Sequence, residues 1–292
     1  MLDSHSSSSG TLYIVPTPIG NLADMVPRAI EVLQSASVIA AEDTRHSAKL
    51  LQHFQIDTPM QAYHDHSDQH RVEQLLQVLV RGDDLALISD AGTPLVSDPG
   101  FRLVREARER GIRVCPIPGA CAAIAALSAS GLPSDRFSFE GFPPAKSGAR
   151  SNYFTELAQD PRTLVFYESP HRIEASLIDL AGAFGADREL VLAREISKAF
   201  ETFLYGSVSE VLAKVSADAN QRRGEIVLLV RGFQKEVSKE QVSVEAQRVM
   251  QILLADKIPT KQVAALASKI TGEKKNKLYS WVLESTKGDN ND

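Results

Sequence analysis

Short apolar runs alternate with amphipathic segments through residues 11–130 of the chain. Within Arg71–Val80, the residues Val72, Leu75, Leu76 and Leu79 repeat at the i, i+3, i+4, i+7 spacing of one helix face. The apolar runs lack the polar alternation of half-exposed strands, so they are typical of strands buried on both faces. The alternation of such strands with helices predicts βα units around a parallel sheet.

This pattern predicts specific elements. The predicted strands of the first half are Thr11–Val15, Ser37–Ala41, Leu85–Ser89 and Ile112–Ile117, and its predicted helices are Pro27–Gln34, Arg71–Val80, Leu103–Arg110 and Cys121–Ala129. The same rhythm resumes after Gly131, with strands at Thr163–Tyr167, Glu189–Ala193 and Glu225–Val230 and a helix that begins near His171. Beyond Phe233, helix candidates at Val244–Leu254, Thr260–Ile270 and Lys277–Leu283 are separated by Pro259 and Gly272.

Gly131, Leu132 and Pro133 interrupt the helical pattern, which predicts a domain boundary there. We therefore expect a disordered tail at 1–10, an α/β domain at 11–131, a second α/β domain at 132–233 and a basic helical appendage at 234–292. The serine-rich start lacks the features of a secretory signal, and no apolar stretch is long enough to span a bilayer. Cys115 and Cys121 match neither a disulfide framework nor a zinc spacing. The sequence predicts a cytoplasmic protein without a membrane partner.

Charge is distributed unevenly along the chain. The formal net charge is −5, which argues against a globally basic nucleic-acid binder. Residues 235–287 nevertheless contain 10 Lys and Arg against 6 Asp and Glu. This basic segment indicates contact with a polyanion, although a helical cap with a solvated charged face explains it equally well.

Three loops directly follow predicted strands: Pro16–Asn21, Asp90–Pro94 and Pro118–Ala120. Ligands of open parallel sheets bind at the carboxyl ends of strands, so a site belongs here. Gly92 and Gly119 allow the backbone to approach a ligand closely. Each loop taken singly is nevertheless better explained as an ordinary turn between a strand and a helix. The sequence has no Gly-x-Gly-x-x-Gly after a strand and no P-loop, which argues against a dinucleotide or a nucleoside triphosphate.

Six motifs in order resemble those of a known family. They are Tyr13–Leu22, Ala41–Arg45, Ser89–Gly100, Phe166–Arg172, Ala193–Glu195 and Arg223–Val227. Together they resemble the small-subunit ribosomal RNA methyltransferases of the tetrapyrrole-methylase superfamily, and the C-terminal region resembles the helical appendage of those enzymes. The resemblance implies two α/β domains of the tetrapyrrole-methylase type with a cofactor cleft between them, plus a small C-terminal helical region.

The resemblance also implies an activity and a binding site. It implies a homodimer that transfers a methyl group from S-adenosylmethionine to the 2′-hydroxyl of a cytidine in 16S ribosomal RNA, as free RNA or in the 30S subunit. S-adenosylmethionine has no phosphate, in keeping with the missing phosphate-binding motifs. Carried over to this chain, the donor site comprises Pro18, Asp90, Ala91, Gly92, Thr93, Pro94, Ser97, Asp98, Pro118, Gly119 and Ala120, with Phe166, Tyr167, Gly224 and Ile226 from the second domain.

A ribose hydroxyl is a weak nucleophile, so a nearby carboxylate or lysine would help to remove its proton. The candidates for this role are Glu42, Asp43, Lys198 and Glu225. Glu42 and Asp43 follow a predicted buried strand and so lie at the rim of the cleft, but Asp43 or Thr44 is equally suited to cap the next helix. Lys198 is also explained as a solvated loop charge.

The candidates for RNA contact are Arg45, His171, Arg172, Lys274, Lys275 and Lys277. Arg45 suits a phosphate contact, and the lysines belong to a helix-turn-helix-like region whose local charge favours the RNA backbone. Ser169–Pro170–His171 also fits an ordinary helix start. His64–Asp65–His66 has the spacing of metal ligands, but the stretch is polar and the resemblance implies no metal, so we expect a solvated loop and no metal site.

Two other functions fit parts of the sequence. A precorrin-type tetrapyrrole C-methyltransferase would share the donor and the cleft, because a fold does not fix a function. It would leave the basic appendage without a role. A non-catalytic ribosome assembly factor would not require the acidic, glycine and proline residues at the strand ends. RNA methylation accounts for more of the sequence than either.

Overall fold

The structure, a computed structural model, describes residues 9–64, 67–234 and 242–288. These residues form two compact units, one within 1–233 and one within 234–292. The first unit contains two five-stranded sheets, and the second is helical. Apart from Ser9 and Gly10, the predicted disordered tail lies outside the described residues. The division of 11–233 into two domains near Gly131 stays a prediction.

The first sheet is entirely parallel, with the strand order β3-β2-β4-β1-β5. Its strands are β1 (Thr11–Ile14), β2 (Val38–Ala41), β3 (Met60–Ala62), β4 (Leu85–Ile88) and β5 (Arg113–Pro116). The helices of this half are α1 (Pro27–Ser35), α2 (Thr44–His53), α3 (Gln69–Val80), α4 (Phe101–Glu109) and α5 (Ala122–Ala129). The predicted parallel α/β pattern is confirmed, although the short strand β3 was not predicted.

Burial explains why these segments form strands and helices. Both β2 and β4 are buried along their whole length, as their uninterrupted apolar runs predict. The apolar face predicted for α3, from Val72 to Leu79, is fully buried against the sheet. Asp68 accepts a hydrogen bond from the Arg71 backbone N–H at 2.8 Å, and this cap starts α3 at Gln69, before the predicted start.

The second sheet is mixed, with the order β6-β7-β10-β8-β9. Its strands are β6 (Phe137–Gly141), β7 (Thr163–Glu168), β8 (Glu189–Arg194), β9 (Thr202–Ser207) and β10 (Ile226–Val230), and its helices are α6 (Ser147–Leu157), α7 (Ile173–Phe184) and α8 (Val208–Ala217). Strands β6 and β7 are parallel, whereas the pairs β7–β10, β10–β8 and β8–β9 are antiparallel.

The prediction that the parallel βα pattern continues into this second sheet is therefore wrong. The late strand β10 inserts between β7 and β8 and runs antiparallel to both. The short turn at 195–201 joins β8 to β9, as antiparallel pairing allows. A buried strand looks the same in sequence whichever way its neighbours run, so the pattern of apolar residues does not reveal this inversion.

The second unit consists of three helices around its own small core. They are α9 (Val244–Ala255), α10 (Thr260–Thr271) and α11 (Lys275–Gly288), close to the three predicted helices. Ala246, Met250, Val263 and Leu278 form part of this core and are fully buried. Gly272 ends α10 in the left-handed conformation, with φ of 74°, as glycine does at helix C-termini. None of the helices in the described part of the chain is long and apolar enough to cross a membrane.

Candidate active site

A cleft of about 500 Å³ opens at the carboxyl ends of β1 and β4, against the second sheet. Its first wall comes from the loops after β1, β2 and β4 and from the start of α5, and its second wall from the loop after β6, the end of β7 and the turn before β10. The lining residues are Ile19, Glu42, Asp90, Ala91, Gly92, Thr93, Val96, Ser97, Asp98 and Ala122 on the first wall, and Phe142, Tyr167, Glu168, Ser169, Pro170, Ile196, Gly224, Glu225, Ile226 and Val227 on the second.

The cleft is acidic. Five carboxylate side chains belong to its lining, from Glu42, Asp90, Asp98, Glu168 and Glu225. Its described lining contains no lysine, arginine or histidine. Summed charges of one sign in a cleft favour ligands of the opposite sign and repel ligands of the same sign. Arg172 and Lys198, which are not part of the lining, pair with Glu168 and Glu225. The lining itself contributes carboxylates and no cationic side chain, so it suits a cationic ligand better than a phosphate.

Hydrogen bonds hold the loops after β1, β4 and β5 together. The backbones of Thr17 and Gly92 exchange two hydrogen bonds, of 2.9 and 3.0 Å. Thr17 Oγ1 donates to the Ser89 carbonyl at 3.2 Å, and Thr93 Oγ1 donates to the Ala120 carbonyl at 2.8 Å. Gly92 has φ of 85°, which a residue with a Cβ adopts only with strain. The three loops singled out in the sequence thus form one rigid wall.

Asp43 caps helix α2, whereas its neighbour Glu42 lines the cleft. The Asp43 carboxylate accepts a hydrogen bond from the Arg45 backbone N–H at 2.9 Å and pairs with the Arg45 guanidinium at 3.2 Å. The side-chain hydrogen bond from Arg45 lowers the pKa of Asp43, which makes Asp43 a weaker base. The Asp43 backbone N–H donates to Asp90 Oδ1 at 3.1 Å and so orients a cleft residue.

Lys198 lies between two carboxylates. Its Nζ is 2.9 Å from Glu195 Oε1 and 3.0 Å from Glu225 Oε2. Burial alone would lower the pKa of Lys198, but the two carboxylates outweigh burial and raise that pKa above its usual 10.5. Lys198 therefore stays protonated at neutral pH and has no lone pair with which to accept a proton. Of these two carboxylates, Glu225, itself a predicted candidate for the base, lines the cleft.

Adjacent residues of β7 face opposite sides of the second sheet. Tyr167 lines the cleft, where its hydroxyl accepts a hydrogen bond from the Ala123 backbone N–H at 3.3 Å. Burial raises the pKa of Tyr167 well above its usual value. The side chain of Phe166 instead packs on the other face of the sheet, against Phe154. The structure therefore does not bring the side chain of Phe166 to the cleft.

Glu168, at the end of β7, is buried beneath the cleft and fully paired. Its carboxylate pairs with the Arg172 guanidinium at 2.9 Å, accepts a hydrogen bond from the Ser169 backbone N–H at 2.6 Å and accepts another from the Ser176 hydroxyl. Arg172, a candidate for RNA contact, thus neutralises a buried carboxylate. His171 lies beside it and is exposed.

The remaining predicted donor-site residues divide into two groups. Asp90, Ala91, Gly92, Thr93, Ser97, Asp98, Gly224 and Ile226 line the cleft. Pro18, Pro94, Pro118, Gly119 and Ala120 lie in the same loops but are not part of its lining. At Gly119, an added Cβ would lie 2.7 Å from Pro16 Cβ. The lack of a side chain at Gly119 therefore allows the loop after β5 to pack against the loop after β1.

Several lining residues, above all Phe142, were not predicted from the sequence. Phe142 follows strand β6, which was not predicted because its residues are only partly buried. The signal that would have found it is the run Gly141-Phe142-Pro143-Pro144, a glycine and two prolines around an aromatic residue at a strand end. Glycine and proline residues so close together are typical of a turn with a fixed shape.

The other predicted sites lie elsewhere. Lys274 and Lys275 are exposed in the second unit, whereas Lys277 Nζ pairs with Glu273 Oε2 at 2.7 Å. Arg45 is exposed at the start of α2. Within the described part of the chain, no cluster of three or more His, Cys, Asp or Glu side chains is arranged to hold a metal ion. Two residues of the His64–Asp65–His66 motif, 65 and 66, lie outside the described residues.

Family models match most of the chain. Residues 11–212 match the model of the Tetrapyrrole (Corrin/Porphyrin) Methylases, and residues 240–286 match the model of the RsmI C-terminal HTH domain. The chain is 53% identical to the ribosomal RNA small subunit methyltransferase I of Pseudomonas aeruginosa, over 95% of this chain and 98% of that protein. It is also 53% identical to the protein of the same name from Escherichia coli O157:H7, over 96% and 97% of the two chains.

Solved structures share the fold at low sequence identity. The uroporphyrin-III-C-methyltransferase from Thermus thermophilus superposes with a TM-score of 0.52 at 21% identity, covering 76% of this chain and 94% of that one. A cobalamin biosynthetic enzyme, cobalt precorrin-4 methyltransferase, superposes with a TM-score of 0.55 at 15% identity, covering 79% and 98%. At this identity the likeness concerns the fold alone.

Proposed function

Because the chain belongs to the tetrapyrrole methylase family, we propose that it transfers a methyl group from S-adenosylmethionine to the 2′-hydroxyl of a cytidine in small-subunit ribosomal RNA. The relatives that share about half of its residues over nearly the whole chain are named as methyltransferases of that RNA. The observation that carries the proposal is the acidic cleft at the strand ends, where the family resemblance expects the donor.

The cleft residues fit S-adenosylmethionine. This donor has a positively charged sulfonium and no phosphate. A lining with carboxylates and without lysine, arginine or histidine suits it, and two of these carboxylates are also paired with Arg172 and Lys198 outside the lining. Gly224, with φ of 78°, brings a backbone turn to the cleft wall, and an added Cβ there would lie 2.2 Å from Glu195 Oε1. Gly92, with φ of 85°, lines the opposite wall. When bound, the donor supplies an electrophilic methyl group beside a good leaving group.

The residues of the chain chiefly align the reactants. A rigid wall of hydrogen-bonded loops holds one side of the cleft, and alignment of acceptor and methyl group is worth up to roughly 7–11 kcal/mol. Glu42 and Glu225 line the cleft and are the candidates to accept the hydroxyl proton. Asp43 instead caps helix α2, and its lowered pKa makes it a weaker base. Lys198 clamps two carboxylates, which keep it protonated and so unable to accept a proton.

The basic second unit gives the proposed RNA acceptor a surface outside the acidic cleft. We propose that Lys274 and Lys275, which are exposed, contact the RNA backbone, since phosphate contacts dominate the affinity of such proteins. Arg45 and His171 are exposed and remain candidates for the same role, whereas Arg172 and Lys277 are engaged by Glu168 and Glu273.

The assembly and location of the protein are part of the same proposal. We propose a homodimer, as the family resemblance implies, and a cytoplasmic location. Cys115 and Cys121 are both free thiols, which fits a reducing compartment. Sedimentation of the purified protein at several concentrations tests the dimer, and a monomer throughout would contradict it.

The function is tested by supplying both reactants. Purified protein is incubated with methyl-labelled S-adenosylmethionine and small subunits from cells that lack the gene, and the RNA is digested to nucleosides for mass spectrometry. We expect label in 2′-O-methylcytidine. Label in a methylated base, or none, would contradict the proposal. A parallel reaction with uroporphyrinogen III tests the tetrapyrrole alternative, and label there without RNA methylation would support it.

A further inference from the structure

Phe142 is an exposed aromatic side chain at the edge of the cleft. Its residue keeps 55% of its surface accessible, although it lines the cleft. Gly92 and Ile226, from the two walls of the same cleft, are buried. Phe142 therefore lies where the cleft meets solvent.

Buried interactions fix the loop that carries Phe142. The Arg150 guanidinium, in a residue that is 2% exposed, donates hydrogen bonds to the carbonyls of Pro144 at 3.5 Å and Ala145 at 3.1 Å. Arg150 also pairs with Asp179 at 2.7 Å. A buried ion pair thus holds the backbone of this loop from below, and the loop presents Phe142 to solvent in a defined position.

Tyr167 supports the Phe142 ring from inside the cleft. The two ring centroids lie 5.6 Å apart with an angle of 63° between the ring planes. Tyr167 itself is held by the Ala123 backbone N–H and by an edge contact with Phe139 at 4.9 Å. An exposed ring that is braced in this way is pre-organised to stack, because little conformational freedom is lost on binding.

We propose that Phe142 stacks on the base of the nucleotide whose ribose is methylated. This inference rests on the proposed function and adds the residue that receives the base. A ribose hydroxyl reaches a methyl group inside a cleft only if its nucleotide leaves the RNA stack, and unstacked bases are held by aromatic side chains. Phe142 is the exposed aromatic residue among the described residues that line the cleft.

The charge of the cleft favours this role over a phosphate contact. A base is neutral, so it approaches the carboxylate-lined wall without the repulsion that a phosphate meets. Stacking is also independent of hydrogen bonding to the base edge, because every base has a π-face. Phe142 therefore contributes affinity for the flipped nucleotide, and the identity of the base is left to other contacts.

Four full-length variants test the proposal in the methyl-transfer assay on small subunits. Phe142→Ala removes the ring, Phe142→Leu keeps apolar bulk, and Phe142→Trp keeps a stacking surface. Phe137→Ala is the matched control, since Phe137 is an exposed phenylalanine at the start of β6, the strand that Phe142 follows. We expect kcat/KM to fall about tenfold or more for the Ala and Leu variants, and to stay near wild type for the Trp variant and the control.

Calorimetric titration with S-adenosylmethionine and sedimentation complete the test. Unchanged donor affinity and unchanged oligomeric state in Phe142→Ala are expected. Loss of donor affinity would mean that Phe142 serves the donor instead, and a changed oligomeric state would mean that a second copy covers it; either result overturns the inference. Full activity of Phe142→Ala beside an active wild type overturns it as well, whereas an inactive wild type overturns the proposed function.

Discussion

Lys198 illustrates how single residues set the electrostatics of the cleft. It bridges Glu195 and Glu225, and the adjacent Ser197 hydroxyl donates to Asp24 on the loop after β1. The segment that carries Lys198 therefore touches the first wall while it organises the second. The residue type suggested catalysis in the sequence, but only the structure reveals two carboxylate partners that keep the side chain charged.

This arrangement predicts how Lys198 tolerates substitution. Lys198→Arg retains the charge and should keep methyl transfer within about threefold of wild type, whereas Lys198→Met leaves two carboxylates unpaired and should lower kcat/KM about tenfold or more. Arginine does not accept a proton at neutral pH, so a loss in Lys198→Arg as large as in Lys198→Met would instead indicate a general base.

The ion pairs of Lys198 with Glu195 and Glu225 make the stability of the protein depend on pH. Because the folded-state pKa of Lys198 is raised above 10.5, its contribution to the free energy of unfolding is complete below pH 10.5 and is lost as pH rises through the folded-state pKa. Denaturant unfolding of wild type and Lys198→Met should differ by a constant amount through neutral pH, and the difference should shrink in strong alkali. A difference that grows with pH would contradict the assignment.

Strand β7 and helix α7 together form the second wall, and their contacts were only partly predictable. The apolar run 163–167 predicted the strand, and the cap-like Ser169–Pro170 predicted the helix that follows. A run that is apolar at every position does not reveal which residues face the cleft, so Phe166 and Tyr167 were indistinguishable until the sheet was known. The edge strands β6 and β9 were missed because their residues are only partly buried.

Two Glu–Arg pairs near the junction of β7 and α7 should contribute unequally to stability. Glu168–Arg172 is buried, whereas Glu174–Arg222 is exposed. Glu168→Gln leaves Arg172 beside a neutral amide in a buried site and should lower the free energy of unfolding by about 3 kcal/mol. Glu174→Gln, in the exposed pair with Arg222 at 2.7 Å, should lower it far less, because solvent screens an exposed ion pair. Urea denaturation measures both, and equal effects would contradict the buried role of Glu168.

Substitution of Gly224, in the turn before β10, should weaken binding of the donor. Gly224→Ala places a Cβ against Glu195 in a left-handed backbone conformation, so it should weaken binding of S-adenosylmethionine about tenfold or more. Gly185→Ala is the matched control, because Gly185 has φ of 93° but nothing lies within 4 Å of an added Cβ. Gly185→Ala should be destabilised by about 1–2 kcal/mol through its backbone conformation alone, and Gly224→Ala by at least as much. Equal donor affinities of the two variants in calorimetry would contradict a role of the turn at Gly224 in the cleft.

At the scale of the whole molecule, acidic and basic side chains are concentrated in different segments of the chain. The cleft is lined by carboxylates, and the basic segment 235–287 belongs to the second unit. The pattern of apolar residues predicted the parallel sheet and the C-terminal helices, and six ordered motifs predicted most of the cleft lining. They did not predict the inverted order of the second sheet or Phe142, because both depend on strand pairing between distant segments.

The charge separation predicts how the protein binds its RNA substrate. The double variant Lys274→Glu and Lys275→Glu should weaken binding to small subunits and reduce the slope of log affinity against log salt concentration, while donor affinity stays unchanged. The control is Arg81→Glu with Arg108→Glu, an equal charge change at exposed helix C-termini, away from the carboxyl ends of the strands. Equal losses in both double variants would indicate a general effect of net charge.

The claim on which the mechanism depends is that the acidic cleft binds S-adenosylmethionine. Calorimetric titration of S-adenosylmethionine into the full-length protein, alone and with small subunits from cells that lack the gene, measures this directly. We predict saturable binding, with one donor per chain, in at least one of the two conditions. The absence of any binding heat in both would contradict the account.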